Sequence, residues 1–266
     1  MTSVVPPSVR TPSFARLRVG GVAQRALDSL ILVVALIVIW QLLYDLVGNV
    51  ALSSPLTTIR GAGSLLASGE FWFHTASTFK AFLLAMAIAV AGGVLIGIVL
   101  GSKQILREAY EPILVSFYTV PKVSFFPIIL LLFGIGLAAQ VAFGVIHGIV
   151  PTAIFTINAV KNVKPVLFKT ANVLRLTAFQ KWMLVVVPSV LPQVFTGIRI
   201  GVSLTFIGTI LSEMFGSHRG LGYMLMQAIG INNGDLIMSL TLIITVWAIV
   251  LNSVLLFIDG KLHNRG

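Results

Sequence analysis

Residues 78–101 read TFKAFLLAMAIAVAGGVLIGIVLG, and after Lys80 every residue is apolar or small. A bilayer core about 30 Å thick takes about 20 apolar helical residues per crossing, so this stretch predicts a membrane-spanning helix. Gly93, Gly97 and Gly101 recur every four residues and line one of its faces. Small residues at that spacing let a second backbone approach closely. Packing within the subunit is the first use expected of the face, and a dimer or pore-lining role the second.

Outward from this helix, further apolar runs lie at about 29–48, 110–134, 138–157, 190–215 and 236–258. Asp28 and Ser29 stand where capping residues open the first of them. That run exceeds a signal-peptide core of about 7 to 15 residues, so a retained helix is expected, with a cleaved signal as the other reading. The composition agrees: 57% of residues are hydrophobic and 10% charged, whereas a soluble domain carries about 25% charged residues. The mean hydropathy is +1.02. The reading is an all-α integral membrane protein of about six spans. A tail at 1–28 precedes a transmembrane domain at 29–258, which includes a long loop at about 158–187, and a tail at 259–266 follows.

The net charge of +10 does not point to nucleic acid, because the cations sit in the loops. With the N-terminus placed inside, the inner segments hold Arg10, Arg16, Arg18, Arg25, Lys103, Arg107, Lys161, Lys164, Lys169, Arg175, Lys181, Lys261 and Arg265. The outer ones hold Arg60 and Arg219. The positive-inside rule then places both termini in the cytoplasm, and anionic lipid is an expected partner of the basic loops. There is no cysteine, which excludes disulfides, thiolate nucleophiles and Cys-ligated metals. No internal repeat is visible, and this disfavours inverted-repeat transporters.

The loop at 158–187 places Lys161, Lys164, Lys169, Arg175 and Lys181 together with no acidic residue. Its apolar residues, among them Val173, Leu174, Phe179 and Trp182, suit short helices that lay one face on a partner protein or on the bilayer. Within the spans, Pro121, Pro127 and Pro151 predict kinks. Lys122 falls near the middle of the third span and Arg199 in the fifth. A charge at mid-bilayer costs about 2.5 to 3.5 kcal/mol on insertion scales, so each is expected either to meet an anionic substrate or, without touching substrate, to pair with a carboxylate or reach a wet cavity. Glu213 is read as an outer-end carboxylate, and a capping role is its plainer alternative.

Lys169-Thr170-Ala171, Arg175, Val187-Pro188, Leu191-Pro192 and Gly197 together resemble the cytoplasmic coupling loop of bacterial ATP-binding cassette importer permeases. The spacing is that of the family, whose usual pattern has Glu and Ala at 169 and 170 and Gly at 175. The resemblance continues in His74-Thr75-Ala76-Ser77, Val120-Pro121, Phe126-Pro127, Phe133-Gly134-Ile135-Gly136, Ser212-Glu213-Met214 and Gly220-Leu221-Gly222-Tyr223. Jointly these look like the nitrate, sulfonate and taurine branch; other members of that branch serve thiamine-pathway pyrimidines, riboflavin and aromatic compounds.

The resemblance implies a type I importer permease in the inner membrane and a homodimeric pore, with two cytoplasmic ATP-binding subunits docked on the coupling loops and a periplasmic binding protein that delivers a small solute. It assigns Lys169, Thr170, Ala171, Arg175 and Pro188 to ATPase coupling, while the prolines and intramembrane charges themselves make Pro121, Lys122, Pro127 and Arg199 candidates for the translocation path. Glu213, Gly220 and Gly222 fall to an outer gate or binding-protein contact. The departure at Lys122 favours an anion such as a sulfonate, taurine or nitrate.

No G-x-x-x-x-G-K-[ST] phosphate loop is present, so ATP chemistry is expected in a partner and no cofactor here. The histidines lie apart in sequence, so no metal site is expected, and no nucleophile or carboxylate pair points to catalysis. An ion-coupled secondary transporter is the main alternative. It would need intramembrane carboxylates, whereas the acids here cluster at span ends. An intramembrane enzyme and a structural scaffold stand further behind.

Overall fold

The computed structural model describes residues 22–48 and 52–263, and these residues form helices with no strand. The tails at 1–21 and 264–266, with Arg10, Arg16, Arg18 and Arg265, lie outside the described residues. Helix α1 (Val22–Val47) keeps none of its apolar window buried. Trp40 ties it down by donating from Nε1 to the Ser53 carbonyl at 3.1 Å. Helix α2 (Pro55–Leu66) falls in what reads in sequence as a polar connection. Ser54 Oγ caps it by accepting from the Thr57 N–H at 3.1 Å, and Pro55 opens it without losing a hydrogen bond.

Helix α3 (Gly69–Ser102) has 34 residues, about 51 Å at 1.5 Å per residue. Its first turns therefore rise beyond the apolar stretch that begins after Lys80. The next expected span is broken. Helix α4 (Gln104–Thr119) and a 3-10 turn (Lys122–Phe125) lead into helix α5 (Phe126–Phe133), and the two halves meet at a bend of 92°. Pro121 has no N–H and crowds the residue before it, and Val120 accordingly leaves the helical region, at φ −66 and ψ 135. Pro127 starts α5 rather than kinking a span. Gly134 at φ 70 and Gly136 at φ 126 then turn the chain in a left-handed region that favours glycine.

Helix α6 (Leu137–Lys161) contains Pro151. The basic loop is largely helical: α7 (Pro165–Val173), then α8 (Ala178–Lys181), which runs through a π-helical turn (Trp182–Val186) into α9 (Val187–Gly216). Where a single span from about 190 is expected, a rod over Ala178–Gly216 appears. Pro188 occupies its first α-helical turn, and the π turn directly precedes this break in the donor ladder. Helices α10 (Leu221–Gly230) and α11 (Gly234–His263) complete the described chain. Among the described residues five helices are long and apolar enough to cross a membrane, and there are six if the bent pair α4–α5 counts as one span.

Helix α6 lies between α3 and α9, and glycine sets how closely they approach. A methyl group added at Gly148 would come within 2.7 Å of the Gly201 carbonyl oxygen, and the reverse holds at the same distance. The predicted glycine face of α3 packs on α6 within the subunit: Gly93 meets Thr152, Gly97 meets Thr156 and Gly101 meets Ile157. Thr152, Thr156, Thr205 and Thr209 each donate to the carbonyl four residues back, at 2.7–2.9 Å. Their hydroxyls are thus satisfied inside an apolar sandwich. Phe82 meets Phe206 edge-on at 5.4 Å, and Phe126 meets Phe143 at 5.0 Å.

Candidate permease sites

Three sequence motifs converge at one end of the bundle. Glu213 near the end of α9 has no exposed surface. Its Oε2 accepts from Thr78 Oγ1 at 2.9 Å and from the Gly222 N–H at 3.0 Å. Thr78 also accepts from the Leu221 N–H at 2.8 Å, and His74 Nδ1 accepts from the Gly220 N–H at 3.0 Å. Three successive N–H groups, at 220, 221 and 222, are therefore received by side chains of α3 and α9. Gly220 sits at φ 112, and a side chain there would collide with the Glu213 carboxylate. A methyl group on Gly222 would lie 2.8 Å from Glu213 Cβ. The turn is clamped, and the clamp is internal. Sequence reading places Glu213 at this end but misses Thr78 and His74 as its companions, because they lie 135 and more positions away in the chain.

At the helix break, Lys122 is half-buried. Its Nζ donates to the Tyr118 carbonyl at 3.1 Å and stands 4.9 Å from the centre of the Tyr118 ring. The expectation of a cation inside a continuous span is corrected: Lys122 stands on the corner that Pro121 makes. Tyr118 also lines a cavity of about 720 Å³ between α9 and α11, together with Arg199, Ser203 and Asn252. Arg199 Nε lies 3.6 Å from Asp259 Oδ2; of the two readings offered for Arg199, the carboxylate partner is present. Pro121, Lys122 and, through Tyr118, Arg199 belong to one region, whereas Pro127 belongs to the start of α5.

The opposite end carries the basic loop. Lys169, Thr170 and Arg175 are exposed, and Ala171 is buried. Among the described residues Arg175 is one of two non-glycine residues with positive φ, at 52. Its N–H donates to the Asn172 carbonyl at 3.0 Å, and the Leu176 N–H donates to that of Ala171 at 3.1 Å. This pair of bonds is the Schellman ending of α7, whose left-handed position glycine fills most easily. Thr177 and Gln180 form a capping box at the start of α8. Val173, Leu174 and Phe179 stand 81%, 64% and 70% exposed on this turn. Among the described residues no group of three metal-ligating side chains gathers.

Several helices long and apolar enough to cross a membrane, a bent helix pair and a basic, apolar-tipped loop at one end suit the permease class of transport component. The chain belongs to the family described as the binding-protein-dependent transport system inner membrane component, which its residues 93–265 match. It is the inner-membrane permease subunit of an ATP-binding cassette importer. The permease itself is not catalytic, and membership implies ATP-binding subunits and a binding protein as companions. The taurine transport system permease protein TauC of Escherichia coli (strain K12) is 29% identical over 65% of this chain and 62% of its own. The nitrate import permease protein NrtB of Leptolyngbya laminosa is 25% identical over 95% of this chain and 93% of its own. A chain of the inward-facing MetNI methionine ABC transporter has the same fold, with a TM-score of 0.53 and 20% identity over 79% of this chain and 99% of that one.

Proposed function

We propose that this subunit passes a small anion, of the sulfonate, taurine or nitrate type, along a path between α9, α11 and the α4–α5 corner, with a second copy of the chain closing the path. The observation that carries this reading is the broken crossing. Backbone outside a helix is tolerated at membrane depth only where protein buries it or a water-filled cavity borders it. Val120 and Val123 at the corner are 39% and 48% exposed, so the corner borders such a cavity or another subunit. Lys122 there gives this region a positive charge, and Arg199 in the neighbouring cavity pairs with Asp259. Nitrate, named for one relative, is an anion, and taurine, named for another, is a zwitterion that carries a sulfonate group.

Coupling falls to the opposite end. Val173, Leu174 and Phe179 offer an apolar surface ringed by Lys169, Arg175 and Lys181, suited to a groove on an ATP-binding subunit. Ala171, buried beneath it, and the rod through Pro188 into α9 join that surface to the helix carrying Arg199 and Glu213. Movement of the loop thereby tilts α9 as a rigid body. Both termini lie on the loop's side, in the cytoplasm, and ATP is used by the partner alone. Glu213, Gly220 and Gly222 hold the outer turn in shape for the gate or for the docked binding protein.

The test is uptake by the complex of permease, ATP-binding subunit and binding protein reconstituted in liposomes. Lys122→Met is expected to lower sulfonate, taurine or nitrate uptake at least tenfold while the ATP-binding subunit still co-purifies. Unchanged uptake in a normally assembled variant overturns the anion path.

A further inference from the structure

The clamped end of the bundle holds a second cavity, of about 480 Å³, between the early turns of α3, the start of α6 and the turn after α9. Small-molecule sites occupy roughly 300 to 1,000 Å³. Lys80, Arg219 and His218 line it, and no lining residue is Asp or Glu. Gln140 in its wall is buried, with 2% of its surface exposed, and donates from Nε2 to Ser217 Oγ at 2.5 Å. Gly136 and Leu137 bring the N-terminus of α6 to the same wall.

No side chain caps that helix. The first bond of its ladder runs from the Gln140 N–H to the Gly136 carbonyl at 3.1 Å, so the N–H groups of residues 137–139 have no partner within the helix. A helix end of this kind carries partial positive charge and favours anions. The Arg219 guanidinium lies 5.1 Å from the centre of the Phe73 ring, which holds it in place and leaves its charge intact.

We infer that this cavity binds a small oxyanion, such as a sulfonate or nitrate, at the end of the bundle opposite the coupling loop, an assignment that rests on the anion-importer reading above. Two side-chain cations, a helix N-terminus and the absence of an acid converge on one cavity, and a sulfonate or nitrate has the charge and acceptor oxygens that such donors complement. The start of α3, the start of α6 and the end of α9 meet here, and α9 leads from here towards Arg199. An anion released at this end therefore meets Lys80 and Arg219 first and Lys122 and Arg199 later. The phosphate of an anionic lipid has the same chemistry and is the other source of such a group.

The full-length chain in phosphatidylcholine nanodiscs is titrated by calorimetry at low ionic strength with ethanesulfonate, and with neutral ethanesulfonamide as the control. Saturable binding is expected for ethanesulfonate alone. It is expected to weaken at least tenfold in Lys80→Gln/Arg219→Gln and to persist in Lys80→Arg. Both substituted side chains are exposed, and an unchanged melting curve verifies the fold of the double variant.

The titration is repeated in phosphatidylglycerol nanodiscs. Loss of ethanesulfonate binding there, with phosphatidylglycerol retained through purification by the wild type and not by the double variant, identifies the oxyanion as a lipid phosphate. Persistent binding identifies it as the free anion. Equal ethanesulfonate binding by wild type and double variant, equal binding of the sulfonamide, or no wild-type binding of either anion overturns the site. Co-purification of an ATP-binding subunit is read separately, so failure of the anion site leaves the permease assignment intact.

Discussion

Thr78 is the hinge of the clamped end: one hydroxyl serves the Glu213 carboxylate and the Leu221 N–H. Removing it leaves a buried N–H without its acceptor and a buried carboxylate short of a donor, at about 1–3 kcal/mol for each such loss. Thr78→Val is therefore expected to lower the melting temperature of the purified chain by several degrees, and Thr78→Ser to restore it. Scanning fluorimetry of the three proteins checks this, and equal melting of Val and Thr forms would refute the clamp. At this scale the sequence is half legible. The family spacing marks 175 as a special position, but only the backbone shows that Arg175 takes a conformation costing roughly 1–2 kcal/mol away from glycine. Glu213 is visible as an end-of-span acid, yet its burial depends on α3, which no local pattern connects to it.

Between elements, the α6–α9 crossing depends on the absence of side chains at Gly148 and Gly201. Interiors are close-packed, and a clash with backbone has no rotamer to relieve it. Gly148→Ala is expected to cost several kcal/mol and to prevent recovery of monodisperse protein, whereas Gly63→Ala, whose added Cβ would meet nothing within 4 Å, is expected to behave as wild type in size-exclusion chromatography. The four-residue period at Gly93, Gly97 and Gly101 reveals the α3 face from sequence because its members share one helix. Gly148 and Gly201 belong to different helices, and their pairing is a tertiary fact. Likewise Pro121 and Pro127 read as two kinks of one span. The structure divides the work, with Pro121 ending one helix and Pro127 starting another, because the residue before a proline is driven from the helical region.

For the whole molecule, hydropathy makes the spans legible and the lysine and arginine distribution supplies a sidedness. Because the chain has no cysteine, single cysteines test that sidedness on an otherwise unreactive background. In spheroplasts, His218→Cys is expected to react with a membrane-impermeant maleimide, and Lys261→Cys only after permeabilisation; the reverse pattern would invert the orientation and the direction of the anion path. Hydropathy does not show how the third crossing is made, and its broken form bears on biogenesis. Helix α5 has 8 residues, about 12 Å against a hydrocarbon core of about 30 Å. The translocon has no complete apolar segment to recognise there as one straight unit. The Phe126 ring that anchors α5 rests on Phe143 of α6, which leaves the ribosome later than α5. This crossing is therefore completed after synthesis has moved past it, as a step of folding within the bilayer.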